Sequence, residues 1–420
     1  MSPAAICGPS PTVATHSPRP AGRTGPSGRT ILSRASSVAS TSGVRCASSA
    51  SGNLVEVVAQ LKAGLGPGTF QHIIAYFSAD YDAEALVAAL TAAFPGSPIS
   101  GCSTAGAITP GGMVDEGVLL IAFPHAGFTV HAGVVENVSE FGVERATELA
   151  RRLRSRLRSD DGERRMNAFA MILVDGTSNT EESLVAAVHW AIEHVPLIGG
   201  SAGDGLMFRG AVVVNESRVM ADAAVLILVE TAVPFRVFKT QNFEPTPIKL
   251  VVTAADTERR VVMELNAEPA AREYASAIGL LPDDLGPFSF AAYPLVVKVG
   301  GNYYCRSIRN MNEDGSLSFF CAIDEGLVFT VARPQDMLRA TQEALDEIGQ
   351  EIGGIDFVIG FDCVLRRLDA ENRQIRHQME DMYRRYRIVG FHTYGEQFNA
   401  MHLNQTLTGI AFGKSTGGAS

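Results

Sequence analysis

The sequence predicts a mixed chain of α/β and α+β class. An internally duplicated βαβ-type N-terminal domain comes first, followed by a mixed, mostly antiparallel sheet domain with long helices. Three observations predict it. A strand–helix–strand pattern with a glycine-rich turn recurs at an offset of 98 residues. Further on, four short β-rich runs follow one another with Gly, Asn and Asp between them, as an antiparallel meander requires. Finally, 420 residues are more than one hydrophobic core usually serves.

The first 52 residues are Ser, Pro, Gly, Ala, Thr and Arg with few large apolar side chains, so they are expected to form a disordered leader. An Arg-rich, acid-free leader also resembles an organellar transit peptide, and a start codon placed too early would give the same composition. Order is expected to begin near Leu54. The N-terminal domain then spans 54–234, the second domain 236–413, and a short tail 414–420.

Within the first domain, residues 72–77 read as a strand and 82–94 as a helix with Leu86, Leu90 and Phe94 on one face. Pro98-Ile-Ser-Gly-Cys-Ser-Thr-Ala-Gly106 follows. The pattern returns as a strand over 170–174, a helix over 180–192 and Pro196-Leu-Ile-Gly-Gly-Ser-Ala-Gly203, with Asp204 next. Pro98, Gly101 and Ser103 align with Pro196, Gly199 and Ser201 without a gap. Each half alone would leave an apolar face uncovered, so the two halves are expected to share a sheet.

The small-residue turns could expose N–H groups to an anion. Neither has the spacing of a nucleotide-binding loop, and close backbone packing is the simpler reading. Between the repeats, Leu149, Leu153 and Leu157 stand four apart beside a run of arginines, which reads as a helix with a solvated basic face.

In the second domain, residues 249–253 and 260–265 read as strands and 269–278 as a short helix. The meander runs over 292–298, 302–308, 315–323 and 327–331. A helix over 334–348 and a strand over 355–363 come next. The helix predicted over 365–387 places Leu365, Leu368, Ile375, Met379, Met382 and Tyr386 on a heptad seam, which covers the sheet or pairs with a second copy in a homodimer. Two strands, 388–394 and 405–412, are expected to close the chain as a pair joined by a polar turn. Packed between them are His392, Tyr394, Glu396, Gln397, His402, Asn404 and Gln405, more polar groups than a plain hairpin needs.

Composition narrows the function. Residues 1–55 hold five arginines and no acid, so a chain of net charge −10 leaves a folded part of about −15. Such a surface is a poor match for nucleic acid or an anionic membrane and suits small molecules or proteins. Six scattered cysteines without a CxxC fit a reducing, cytoplasmic setting, and no apolar run reaches the length of a membrane span. An enzyme using Cys102, or Asp175 with His189, is a weaker expectation, because no nucleophile–base–orienter set is recognisable.

The run Gly390-Phe-His-Thr-Tyr-Gly-Glu-Gln397 with His402-Leu-Asn-Gln-Thr-Leu-Thr-Gly409 resembles the end of the FIST C-terminal domain. Gly101-Cys-Ser-Thr-Ala-Gly106, Gly199-Gly-Ser-Ala-Gly-Asp204, Tyr304-Cys-Arg-Ser-Ile308 and Phe361-Asp-Cys363 with Arg366 extend the resemblance over nearly everything after residue 54. FIST domains are sensory, ligand-binding modules of signal transduction. The resemblance implies bacterial small-ligand sensing without catalysis, reported to a separate partner such as a histidine kinase or a cyclic-di-GMP enzyme.

Within the family the last segment is most similar to the NosP branch of nitric-oxide-sensing haem proteins. That likeness implies non-covalent haem b with His402 as axial ligand and His392 second. Tyr394 would be a pocket donor, and Glu396, Gln397, Asn404 and Gln405 would orient the imidazole. The alternative it leaves open is a FIST domain that binds an amino acid or another small metabolite without haem.

Overall fold

The computed structural model describes residues 35–157, 167–299 and 301–414. The first part of the expected leader and the tail beyond Lys414 lie outside the described residues. Four sheets and the helices packed on them make up the fold, a mixed architecture of the predicted class.

The duplication is visible as one strand order built twice. In the first sheet, His72–Ser78 lies parallel to Ile99–Thr104 on one side and antiparallel to Val118–Phe123 on the other, and Arg45–Ser49 follows. In the second, Asn167–Asp175 lies parallel to Leu197–Ala202 and antiparallel to Ala223–Thr231, and Phe128–Glu136 follows. The expected single shared sheet is corrected to two, although the first takes in Val213–Asn215 and Arg218–Met220 from the second half. The glycine-rich segments predicted as turns are instead strands, Ile99–Thr104 and Leu197–Ala202. A Cβ on Gly101 would stand 1.8 Å from the carbonyl oxygen of Ala75, and one on Gly199 1.9 Å from that of Ile172. Only glycine allows the parallel strands to approach so closely, so these segments serve backbone packing.

A second correction concerns the leader. Ser36–Ala39 and Arg45–Ser49 are strands, and the latter pairs with Val118–Phe123. Arg45–Ser49 is the first repeat's counterpart of Phe128–Glu136, so the repeat is incomplete without it. Its Cys46, Ala47, Ser48 and Ser49 are buried, yet they carry too little apolar bulk to read as a strand.

Helices Leu54–Leu65 and Ala83–Ala93 cover one face of the first sheet through Val57, Leu61, Leu86 and Leu90. Helices Val138–Arg154 and Glu181–Ile192 do the same for the second through Leu149, Leu153, Leu184 and Val188. The remaining faces meet a third sheet in one apolar core containing Tyr76, Phe169, Phe361, Phe391 and Phe412.

That third sheet has the order Phe235–Gln241, Thr406–Gly413, Ile355–Cys363, Ile388–Thr393, Ala107–Thr109, Gly112–Val114. The two terminal strands predicted as a pair are both present, but Ile355–Cys363 lies between them. The expected boundary near residue 235 is also crossed twice. Ala107–Thr109, from the first half, adds to Ile388–Thr393. Glu396–Phe398, from the second half, adds to Leu197–Ala202.

The predicted helix over 365–387 is two helices, Val364–Asn372 and Arg376–Arg385, broken where Gln374 takes a left-handed φ of 58°. Leu365, Leu368, Met379, Met382 and Tyr386 are buried against their own chain. They offer no seam to a second copy.

The predicted meander closes on itself. Its strand order starts with Asn302–Arg306 and ends with Ile308–Met311, which are consecutive in the chain with only Ser307 between them. The result is a small antiparallel barrel filled by Leu250, Val262, Val297, Leu317, Phe319 and Phe329. None of the helices among the described residues is long and apolar enough to cross a membrane.

Because each half lends a hairpin to the other, a fragment of residues 35–241 should lack a cooperative thermal transition by circular dichroism. The full chain should unfold sharply. A fragment melting within a few degrees of the full chain would show that the exchanged hairpins are dispensable.

Candidate functional site

From Ile388 to Gly413 the chain runs through the third sheet, the second and the third again within 26 residues, and this threading gathers the polar side chains that stood out in the sequence. The chain leaves the third sheet at Tyr394-Gly395. It turns through the hairpin Glu396–Phe398 and Met401–Leu403 on the second sheet, then returns through Asn404 and Gln405. All seven predicted site residues are buried.

Gln397 and His402 face each other across the hairpin. The Gln397 side-chain Nε2 donates to Ser201 Oγ at 3.0 Å, and its Oε1 lies 3.2 Å from His402 Nδ1. With Nδ1 protonated to serve that bond, His402 Nε2 is a buried acceptor, and it has no partner. The ring lies flat on Gly395, where a Cβ would stand 2.2 Å from its Cε1. Asn404 links the strand end to the barrel: its Nδ2 donates to the Tyr394 carbonyl at 3.3 Å, and its Oδ1 accepts from Ser307 N at 3.4 Å. Gln405 Nε2 donates to the Phe290 carbonyl at 3.2 Å. The Tyr394 hydroxyl donates to Asp204.

Glu396 sits behind this group and accepts from the Thr406 amide at 3.1 Å, the Thr406 hydroxyl at 2.7 Å and the Thr393 hydroxyl. Burial outweighs these donors and raises its carboxyl to a pKa of about 8, so it is mostly protonated at neutral pH. His392 is elsewhere. Successive side chains of a strand alternate faces, and His392 points with Asp362 to the helical side of the third sheet. There Asp362 accepts from Arg366 Nε at 2.7 Å and from the Tyr383 hydroxyl at 2.8 Å. His392 Nδ1 lies 3.5 Å from Asp362, too long for a good hydrogen bond. Burial lowers the pKa of both imidazoles.

Sequence reasoning missed the ion cluster that joins the barrel to the second sheet. Arg260, buried and in a left-handed backbone conformation (φ 56°), reaches across to the start of helix Glu181–Ile192. Its Nη2 donates to Glu181 at 2.9 Å, Glu182 at 2.6 Å and the Asn179 carbonyl at 2.8 Å. Burial would raise the Glu182 carboxyl, but the Arg260 guanidinium and the Ala322 amide hold it below its usual range. The contacts span about 80 residues of sequence and leave no local signal. The loop after Asp204, with Phe208 against Tyr394, was equally invisible.

The residues do not fit haem in this arrangement. An axial imidazole needs an apolar slot beside its free nitrogen. His402 Nε2 is enclosed instead, with Gly395 against the ring and the charged Glu182, Arg260 and Arg306 nearby. Nor do the catalytic alternatives assemble. Cys102 is fully buried, and burial pushes its thiol well above the usual range. The Asp175 carboxylate is taken by Thr177 and the Asp222 amide rather than by His189. No group of three or more metal-ligating side chains is present among the described residues.

Two outcomes follow from the buried charges. Arg260→Ala would strand two carboxylates at the barrel contact and should cost about 3–5 kcal/mol in chemical denaturation. Glu396 is protonated more readily folded than unfolded, so its stabilisation is fully present below about pH 4.5 and is lost as the pH rises through about 8. Glu396→Gln should remove up to about 1.4 kcal/mol per pH unit of that decline. Parallel stability profiles for the two proteins over this range would contradict the assignment.

The FIST N domain matches residues 71–268 and the FIST C domain residues 270–399. Over 353 residues the chain is also 24% identical to uncharacterized protein MJ1623 of Methanocaldococcus jannaschii, covering 74% of this chain and 67% of that protein. The matches are to FIST as a whole and do not single out the haem-binding branch. His402 follows directly on the FIST C match, in the hairpin that pairs with the FIST N part, and the chain carries both a FIST N and a FIST C domain.

Proposed function

We propose that this protein is a non-catalytic sensor of an amino acid or similar small metabolite, taken up at the seam around His402. Its occupancy would be reported to a separate partner such as a histidine kinase or a cyclic-di-GMP enzyme. FIST domains are associated with signal transduction and small-ligand sensing. The observation that carries the reading is the unpartnered His402 Nε2 inside a seam built from both domains and the barrel. A buried acceptor without a donor is costly, and a ligand N–H or O–H would remove that cost. Charges of both signs stand close by in Arg260, Arg306, Glu181 and Glu182, as a zwitterion would require. The proposal omits haem and nitric oxide, for which the closed seam has no slot.

The same geometry offers a route for the signal. Ligand contact at Gln397 or His402 bears on a hairpin hydrogen-bonded to the second sheet and continuous with two strands of the third. A shift there changes how the two domains sit on one another, which a partner can read.

A thermal-shift screen of amino acids and small metabolites should find a compound that stabilises the protein by about 2.7 kcal/mol at a hundredfold excess over its Kd. His402→Ala should weaken that compound about tenfold. The contrary result is a haem-reconstituted protein whose Soret band is lost in His402→Ala while no metabolite stabilises it.

A further inference from the structure

We infer that Phe208 is a displaceable stopper, filling a slot meant for a flat aromatic ring that bears a carboxylate. The slot lies apart from His402 Nε2, so the inference goes beyond the sensor reading and adds a second recognition site to it.

Four observations converge on it. Phe208 has a φ of 51°, a left-handed conformation that a bulky side chain rarely adopts and that structures retain mainly where it serves a purpose. Its ring is half-buried in an aromatic group, 4.6 Å from Tyr394 and 5.5 Å from Phe320 between centroids, with those two 6.0 Å apart. Second, the loop is held by a single carboxylate. Asp204 Oδ1 accepts from the Phe208 amide at 2.8 Å, and Oδ2 from Arg209 at 2.8 Å and Gly210 at 3.1 Å.

Third, the loop is sterically open at its ends. A side chain at Gly205, with φ 78°, or at Gly210 would meet nothing within 4 Å, and the tip carries Leu206 and Met207 exposed to solvent. Apolar residues at an exposed tip are the wrong way round for a loop whose only task is to be solvated. Fourth, Arg309 lies over the Phe208 ring, 6.0 Å from its centroid. Among the described residues Arg309 forms no ion pair, and its Nε bonds only the neighbouring Asn310 at 3.2 Å. It also lines a cleft of about 700 Å³ on the outside of the barrel.

With Phe208 withdrawn, Tyr394 and Phe320 would wall a slot whose mouth opens beside Arg309. A ligand ring would replace the Phe208 ring in its tilted contact with Tyr394. Its carboxylate would give Arg309 the anion it lacks. Seating it costs the three amide bonds to Asp204 and relieves the Phe208 backbone, so the resting protein stays closed and opens for this ligand class.

Calorimetry with phenylacetate tests the idea, with cyclohexylacetate and toluene as probes that lack the flat ring or the charge. Phe208→Ala should bind phenylacetate about tenfold tighter than the full-length parent protein, because the stopper no longer competes. Adding Arg309→Gln to that variant should cost about tenfold for phenylacetate and nothing for toluene. In the parent protein, saturating phenylacetate should speed hydrogen exchange at the amides of Phe208, Arg209 and Gly210.

Equal binding of all three probes, indifference to Arg309→Gln, or unchanged exchange at those amides would mean that Phe208→Ala merely opens a hole. Should that happen while a metabolite still stabilises the protein through His402, the sensor reading survives and only the aromatic slot is lost.

Discussion

The structure depends on a reciprocal loan of backbone hydrogen bonds. Ala107–Thr109 completes the edge of the third sheet, and Glu396–Phe398 extends the second. Each loan covers a strand edge that would otherwise present unpaired N–H and C=O groups. Neither hairpin is long enough to hold by itself, since an isolated two-stranded ribbon is marginal in water. Paired into larger sheets, they tie the halves together through main-chain bonds that no side-chain substitution removes. The glycines at 199 and 390 belong to the same design, because the parallel pairs beside these edges need backbone contact too close for a Cβ.

Interleaving of this kind also decides where polarity can be kept. A hairpin inserted between a sheet and a barrel carries its outward side chains into a buried seam, where Gln397 bonds His402 and Ser201, and Asn404 bonds the Tyr394 carbonyl and the Ser307 amide of the barrel. The surroundings hold both imidazoles and Glu396 toward their neutral forms through burial. Full charge is kept at Arg260 with Glu181 and Glu182, and at Arg366 with Asp362, where donors and acceptors compensate at close range. A ligand entering the seam thus meets neutral hydrogen-bonding groups first and fixed charges behind them, a sequence that favours recognition by geometry over simple attraction.

What could be read from the chain beforehand follows from range and length. The duplication was legible because helices of a dozen residues and the glycine-rich segments repeat in register, and each signal is local. The polar residues of 392–405 were legible as a group, since seven of them crowd a β-rich stretch. Their division into two sites was not, because it depends on which face of the strand His392 and Thr393 occupy. Strands of three residues such as Ala107–Thr109 hold too few positions for any periodicity. Arg45–Ser49 was hidden by small side chains. The seam of Leu365 to Tyr386 misled for the opposite reason: its spacing runs on across the break at Gln374, although Leu365 and Leu368 pack with Ala291 and Phe320 while Met379, Met382 and Tyr386 pack in a separate cluster with Val358 and Ile388.

The long-range ion cluster and the Phe208 loop share a feature that no sequence pattern announces. Each places a large side chain in the left-handed region, at Arg260 and at Phe208, on the barrel side of the seam. Such conformations cost about 1–3 kcal/mol apiece and survive where surrounding contacts over-determine them. At Arg260 the compensation is strong, two carboxylates and two carbonyls on one guanidinium, so that residue is fixed. At Phe208 it is three amide bonds to one carboxylate and a ring stack, all on a loop with glycine at both ends. The barrel is therefore pinned to the second sheet at one point and latched by a releasable loop at another. A module held this way has one stiff contact to turn about and one weak contact to give, which is the mechanical requirement for converting occupancy of a small site into relative movement of domains.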